Sequence, residues 1–232
     1  MTLINPLDLE FFLYLPLDLA EWLGCLLILG LLVAGLVHWR EGRLAWGPRQ
    51  WILLIVLVLV VLMTTPFLGF RMPLENALPA SERPELPKGP PLLILSALPW
   101  MLAAGWLGVF PATLLAGLAG LMVAMFDSHR LITPLIYAGM GLLFSVAIRQ
   151  RYRTLLYKAL RHPLVTGLGM AVIYLPVLLF YLSLETSGAV VTRLDYGITR
   201  MGAYGLALLG QLLVGGLLTE LAVIGLPQHW GR

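Results

Sequence analysis

The chain has 232 residues, 59% hydrophobic and 12% charged, with a formal net charge of +3. Soluble globular domains carry roughly 25% charged residues, so this composition excludes a water-soluble fold, and so small a positive excess excludes a nucleic-acid-binding surface. A bilayer-crossing helix takes about 20 apolar residues, so the expected product is one polytopic, all-α membrane domain over 1–232, with no stretch left for a second, soluble one.

The first 16 residues hold no Lys or Arg and carry Asp8 and Glu10, so a cleavable signal is not expected and the N-terminus reads as mature sequence. The first span is predicted over 22–37, with Asp18 and Glu21 at its start and His38, Arg40, Glu41 and Arg43 closing it. It contains Cys25, the single cysteine, so no intrachain disulfide can form, and a thiol in hydrocarbon stays protonated. The second span is predicted over 51–70. A proline-rich segment with Glu75, Glu82, Glu85, Arg83 and Lys88 follows over 71–90 and reads as an extended, solvated connection.

From Pro91 to Phe126 there are 36 residues without a charge, about 54 Å as one helix and nearly twice the hydrocarbon thickness of about 30 Å. Pro99, Gly105, Gly108 and Pro111 divide it into two short helices, 91–107 and 111–126, joined by a tight apolar turn. That hairpin either crosses the bilayer or re-enters halfway, and both versions return the chain to the side it left. The remaining spans are 131–148, 165–184 with a kink at Pro176, and 201–224, for seven in all. Lys and Arg collect on the cytoplasmic side. With the N-terminus outside and the C-terminus inside, nine of the 15 lie inside, five of them in the compact loop 149–161. Ten of the 12 acids then lie outside or at the outer interface, leaving Glu41 and Glu220.

Three places could carry chemistry. Ala112, Ala116, Gly120 and Ala124, with Gly117 beside them, form a smooth helix face, which serves close helix packing or a ligand sliding between helices. Glu220 is the one ionisable group expected inside a span. It either snorkels to the interface or pairs with the 149–161 arginines, or it carries a proton or cation. Gln211 lies on roughly the opposite side of the same helix, so the two cannot form one site, and an interhelical hydrogen bond is its expected role. Asp127, Ser128, His129 and Arg130 make a polar turn at the outer mouth of the small-residue groove. They are either an ordinary capped turn or a small-ligand site. No zinc-binding His-Glu-x-x-His, serine elbow or phosphate loop is present. No two histidines face each other in hydrocarbon as haem ligands would, so no cofactor, metal or catalytic role is expected.

The glycine-rich stretch 102–121, followed by Asp127-Ser128-His129-Arg130, resembles the hairpin and polar turn of LytS-type five-helix input domains of bacterial signalling proteins. More loosely, it is similar to the substrate-binding S components of energy-coupling-factor transporters. Residues 149–163 are similar to membrane regions of large bacterial sensor proteins. The LytS-type pattern has Arg-Tyr and paired glycines in the turn where this chain has Asp127 to Arg130. The resemblance implies a small-molecule pocket at Gly105, Gly108, Gly117, Gly120 and the turn. It also implies a bacterial inner-membrane input module continuing past Arg232 into signalling domains. The competing expectations are a small permease subunit that uses Glu220, Gln211 or the turn, and a structural subunit whose small-residue faces pack on other chains or a second copy.

Overall fold

The computed structural model describes residues 2–3, 12–16, 18–39, 46–66, 68–73, 89–150, 154–186, 188–225 and 230. The expected charges Asp8, Glu10, Glu41, Glu75, Arg151 and Arg153 lie outside them. The chain is overwhelmingly helical. Helix α1 (Leu19–His38) starts where the Asp18 carboxylate accepts the Glu21 N–H at 2.8 Å, an N-cap. Helix α2 (Pro48–Thr64) opens on a proline, whose missing N–H costs nothing in a first turn. It stops before Pro66, which has no N–H to donate to the Leu62 carbonyl, although Thr65 itself is still helical at φ −60° and ψ −47°. The predicted second span to Phe70 is therefore six residues too long.

Gly69–Arg71 is a strand, β2, which pairs antiparallel with β3 (Pro91–Leu93) and, on its other edge, with β1 (Thr2–Leu3). The three-stranded patch was not expected, and it corrects the hairpin's first arm: residues 91–97 are not helical. Prolines 90 and 91 favour extended backbone, and helix α3 (Leu98–Trp106) begins only with Pro99 in its first turn. Gly108, at φ +112°, reverses the chain into α4 (Val109–Val123). A π-helical turn (Ala124–Ser128) extends α4, and α5 (Ile132–Arg149) follows.

A short α6 (Leu155–Ala159) leads to α7 (Pro163–Ile173) and α8 (Leu175–Ser183), bent by 42° at Tyr174, where Pro176 interrupts the backbone ladder. The predicted kink is present. Helix α9 (Val190–Gly225) starts 11 residues before the predicted 201. Arg193, Asp195 and Arg200 lower hydropathy there without opposing helix formation.

Among the described residues, four helices are long and apolar enough to cross a bilayer, α1, α4 with its π turn, α5 and α9, and the bent α7–α8 pair makes a fifth. Leucines 23, 26 and 27 on α1, Ile52, Ile55 and Leu59 on α2, and Leu206 and Leu221 on α9 are exposed. Such an outward belt, with the backbone satisfied inside helices, belongs in hydrocarbon. This is a multi-pass membrane protein.

Inside, α4 and α5 form the most extensive helix pair. A Cβ on Gly141 would stand 2.5 Å from the Ala116 Cβ and 2.7 Å from the Ala112 carbonyl oxygen. One on Gly120 would stand 2.6 Å from the Tyr137 Cβ. The small-residue groove is filled by α5. Trp100, Met101, Leu115, Met140, Phe144 and Leu212 continue this core.

Candidate functional site

The polar turn predicted at the end of α4 is where charge is buried. The π turn widens the helix end, and His129 then takes a left-handed conformation, φ 51° and ψ 24°. That is uncommon for a residue with a Cβ. Residues 12–16 lie across it as a strap. The Tyr14 N–H donates to the His129 carbonyl at 2.8 Å, the His129 ring stacks on Phe12 at 3.8 Å, and its Nδ1 lies 3.0 Å from the Phe12 carbonyl oxygen.

Beneath the strap, the Arg130 side chain is 2% exposed, against 5% for Glu21 and 4% for Glu185. Its Nε and Nη2 both donate to Glu21 Oε1 at 3.1 Å, Nη2 also to the Leu184 carbonyl and Nη1 to the Tyr181 carbonyl, each at 3.0 Å. Nη1 is 3.4 Å from Glu185 Oε1, and the guanidinium lies over the Tyr181 ring at 4.7 Å. Every nitrogen is engaged. The Glu185 Oε2 accepts from the Tyr196 hydroxyl at 2.9 Å. This clamp joins α1, the turn before α5, the end of α8 and the start of α9.

Two ion pairs flank it. Arg193 reaches Asp18 at 2.6 Å, tying α9 to the cap of α1, and Arg71 reaches Asp127 at 2.8 Å, tying β2 to the π turn. The Arg193 hydrogen bond, with the Glu21 N–H, holds the Asp18 carboxyl below its usual range. Burial pushes the Glu185 carboxyl up, against the opposing pull of Arg130 and the Tyr196 hydroxyl. Ser128 and Thr133 hydroxyls lie 2.7 Å apart and Thr133 stands 3.4 Å from the Tyr181 hydroxyl, extending the polar cluster inward. A buried ion pair that loses one member costs about 3–5 kcal/mol, because the other charge is left uncompensated. The clamp is therefore either intact or broken.

Of the predicted site residues, Asp127, Ser128, His129 and Arg130 belong to this end of the molecule. Gly120 is in backbone-close contact with α5, and Gly117 sits in ordinary contact, its Cβ position 3.5 Å from the Ala138 Cβ. The Gln211 Oε1 accepts from the Tyr137 hydroxyl at 3.3 Å, an interhelical bond. Glu220 meets His162 Nδ1 at 2.9 Å, with the histidine 63% exposed. Among the described residues its partner is this histidine at the start of α7; Arg151 and Arg153 of the 149–161 loop lie outside them. Gln211 and Glu220 are not joined to the turn.

Sequence reasoning took the turn for a loop and missed Glu21, Glu185 and Tyr196 as its partners. Arg130, Glu21 and Glu185 stand at the ends of spans, as expected, but are buried in protein rather than solvated. The crowding of acids at one face was the available signal. Among the described residues, no three His, Cys, Asp or Glu side chains converge as a metal ion requires. Compared with known proteins, the chain matches no family model, no curated sequence and no solved structure.

Proposed function

We propose that the chain is a membrane-embedded input module of a bacterial inner-membrane signalling protein, and that the Arg130 clamp is its switching element. The carrying observation is that one guanidinium, 2% exposed, binds groups from α1, α8 and the segment after α8 simultaneously. A contact whose partial loss strands a buried charge favours two discrete arrangements over a continuous range. The likeness of 102–130 to LytS-type input domains points the same way.

The reading includes seven passes with the clamp at the outer face. It is supported by helix ends that alternate between two levels. Asp18, Arg71, Asp127, Arg130, Glu185 and Arg193 meet at one level. Arg149 and Gly105 meet at the other, where Trp230 lies against Gly105 and bonds the Arg161 carbonyl. On this view α3, nine residues and about 13.5 Å, completes its crossing with the extended segment 91–97. Orientation is tested by thiol labelling of intact cells: an Asp195→Cys variant is labelled from outside, and Thr154→Cys only after permeabilisation.

The switching reading is tested by electron–electron distance measurement between spin labels at Leu31→Cys and Leu217→Cys in a Cys25→Ser background. Glu21→Gln is expected to move population into a second, separate distance peak. A single unshifted peak would make the bundle static and overturn the proposal.

A permease subunit is the second reading, favoured by the bent α7–α8 pair beside the short α3. Gly167 on α7 sits 3.7 Å, at its Cβ position, from Met101 of α3, and interrupted helices of this kind line transport paths. A Tyr174→Cys variant labelled from both faces would favour it.

A further inference from the structure

Beside the clamp, where α2 ends, a recess of about 10 Å³ is lined by Thr65, Arg71, Leu93, Met122, Phe126 and Asp127. Thr65 is 1% exposed, and its hydroxyl has no hydrogen-bond partner among the described residues. Its neighbour Thr64 instead donates back to the Val60 carbonyl at 2.7 Å, the usual resort of a helical threonine. Across the recess, Asp127 Oδ1 lies 2.8 Å from Arg71 Nη2 but is buried without a well-aligned hydrogen bond. Leaving a buried polar group unpaired costs more than an ordinary hydrogen bond gains.

We propose that this recess binds one ordered water molecule that bridges the Thr65 hydroxyl and the Asp127 carboxylate, joining the end of α2 to the π turn. Three observations converge on it. The free volume is that of a single water, the lining supplies the two to four polar partners that a buried water needs, and the Thr65 hydroxyl is left unpaired while Asp127 Oδ1 has only its Arg71 ion pair. A metal ion fits less well. Asp127 already carries the Arg71 guanidinium, and no second carboxylate lines the recess. A larger ligand has no room. The water would make the seam between α2 and α4 depend on a hydroxyl that touches no protein acceptor.

The sign of one substitution separates a bridging hydroxyl from a solitary one. Thr65→Val keeps the shape and removes the hydroxyl. If the water is there, the full chain in lipid nanodiscs unfolds at a midpoint about 2–4 °C lower, and Thr65→Ser, which keeps the hydroxyl, falls less. If Thr65→Val unfolds at the same or a higher temperature, the hydroxyl was a lone buried group and the proposal fails. Density for the unaltered protein is expected to show a peak at hydrogen-bonding distance from both Thr65 Oγ1 and the Asp127 carboxylate. An empty recess overturns the proposal. Exchanging sodium for potassium or choline is expected to leave the midpoint unchanged, and a sodium-specific rise would replace the water with a cation.

Discussion

The two ends of the bundle treat their charges differently. At one, Arg130 and Glu21 are 2% and 5% exposed and bonded to several helices. At the other, Glu220 is 22% exposed and its partner His162 63%. Both hold an acid near a membrane boundary, and the sequence marks Glu220 as the more unusual. Burial reverses that ranking. A carboxylate whose partner is open to water is screened and replaceable, whereas a guanidinium enclosed by carboxylates and carbonyls fixes the positions of every element it touches.

Arg130→Gln should open the widest gap between the ends, because it strands Glu21 and Glu185. We expect a loss of about 3–5 kcal/mol, read as unfolding in denaturant-titrated nanodiscs. An effect no larger than that of Glu220→Gln would erase the distinction. Gly141→Leu asks whether the seam between the ends matters as much. Its side chain would meet the backbone carbonyl of Ala112, which cannot swing away, and a loss of about 1–3 kcal/mol is expected in the same measurement.

Acid sharpens the comparison further. The Asp18 carboxyl is held below its usual range by Arg193 and the Glu21 N–H, so its contribution is complete above the unfolded value of about 3.9. It is lost as pH falls through the lower, folded value. Asp18→Asn should therefore flatten the acid limb of the stability profile, and more at low salt than at high salt. Glu220→Gln is the smallest change, with an expected loss under about 1 kcal/mol. A larger one would show that its buried oxygen does more than meet His162.

What the residues announced in advance was local. Asp18 stands at the start of α1, Gly108 turns the hairpin and Pro176 bends α7 into α8, each through backbone chemistry confined to a few neighbours; Pro66 acts in the same way at the end of α2 but was passed over. The clamp was not local. Arg130 lies 109 residues from Glu21 and 51 from Tyr181, and each was read as the edge of its own span. Only packing brings the edges together. The extra turns of α9 were hidden because hydropathy measures affinity for lipid, while helix formation tolerates the charges of Arg193 and Arg200. The small sheet was hidden because its strands are three residues or fewer, too short to display alternation.

The hairpin's turn has a consequence for biogenesis. The last carbonyls of α3 have no following helical turn to accept, and Arg149, the final residue of α5, donates to the Gly105 carbonyl at 3.2 Å. That arginine emerges from the ribosome some 44 residues after the group it caps. The Ala103 carbonyl is met locally by the Leu107 and Gly108 N–H groups, but the Gly105 carbonyl waits for that arginine. The end of α3 is thus capped by a residue synthesised later, and the hairpin's turn is complete only once α5 has packed against it.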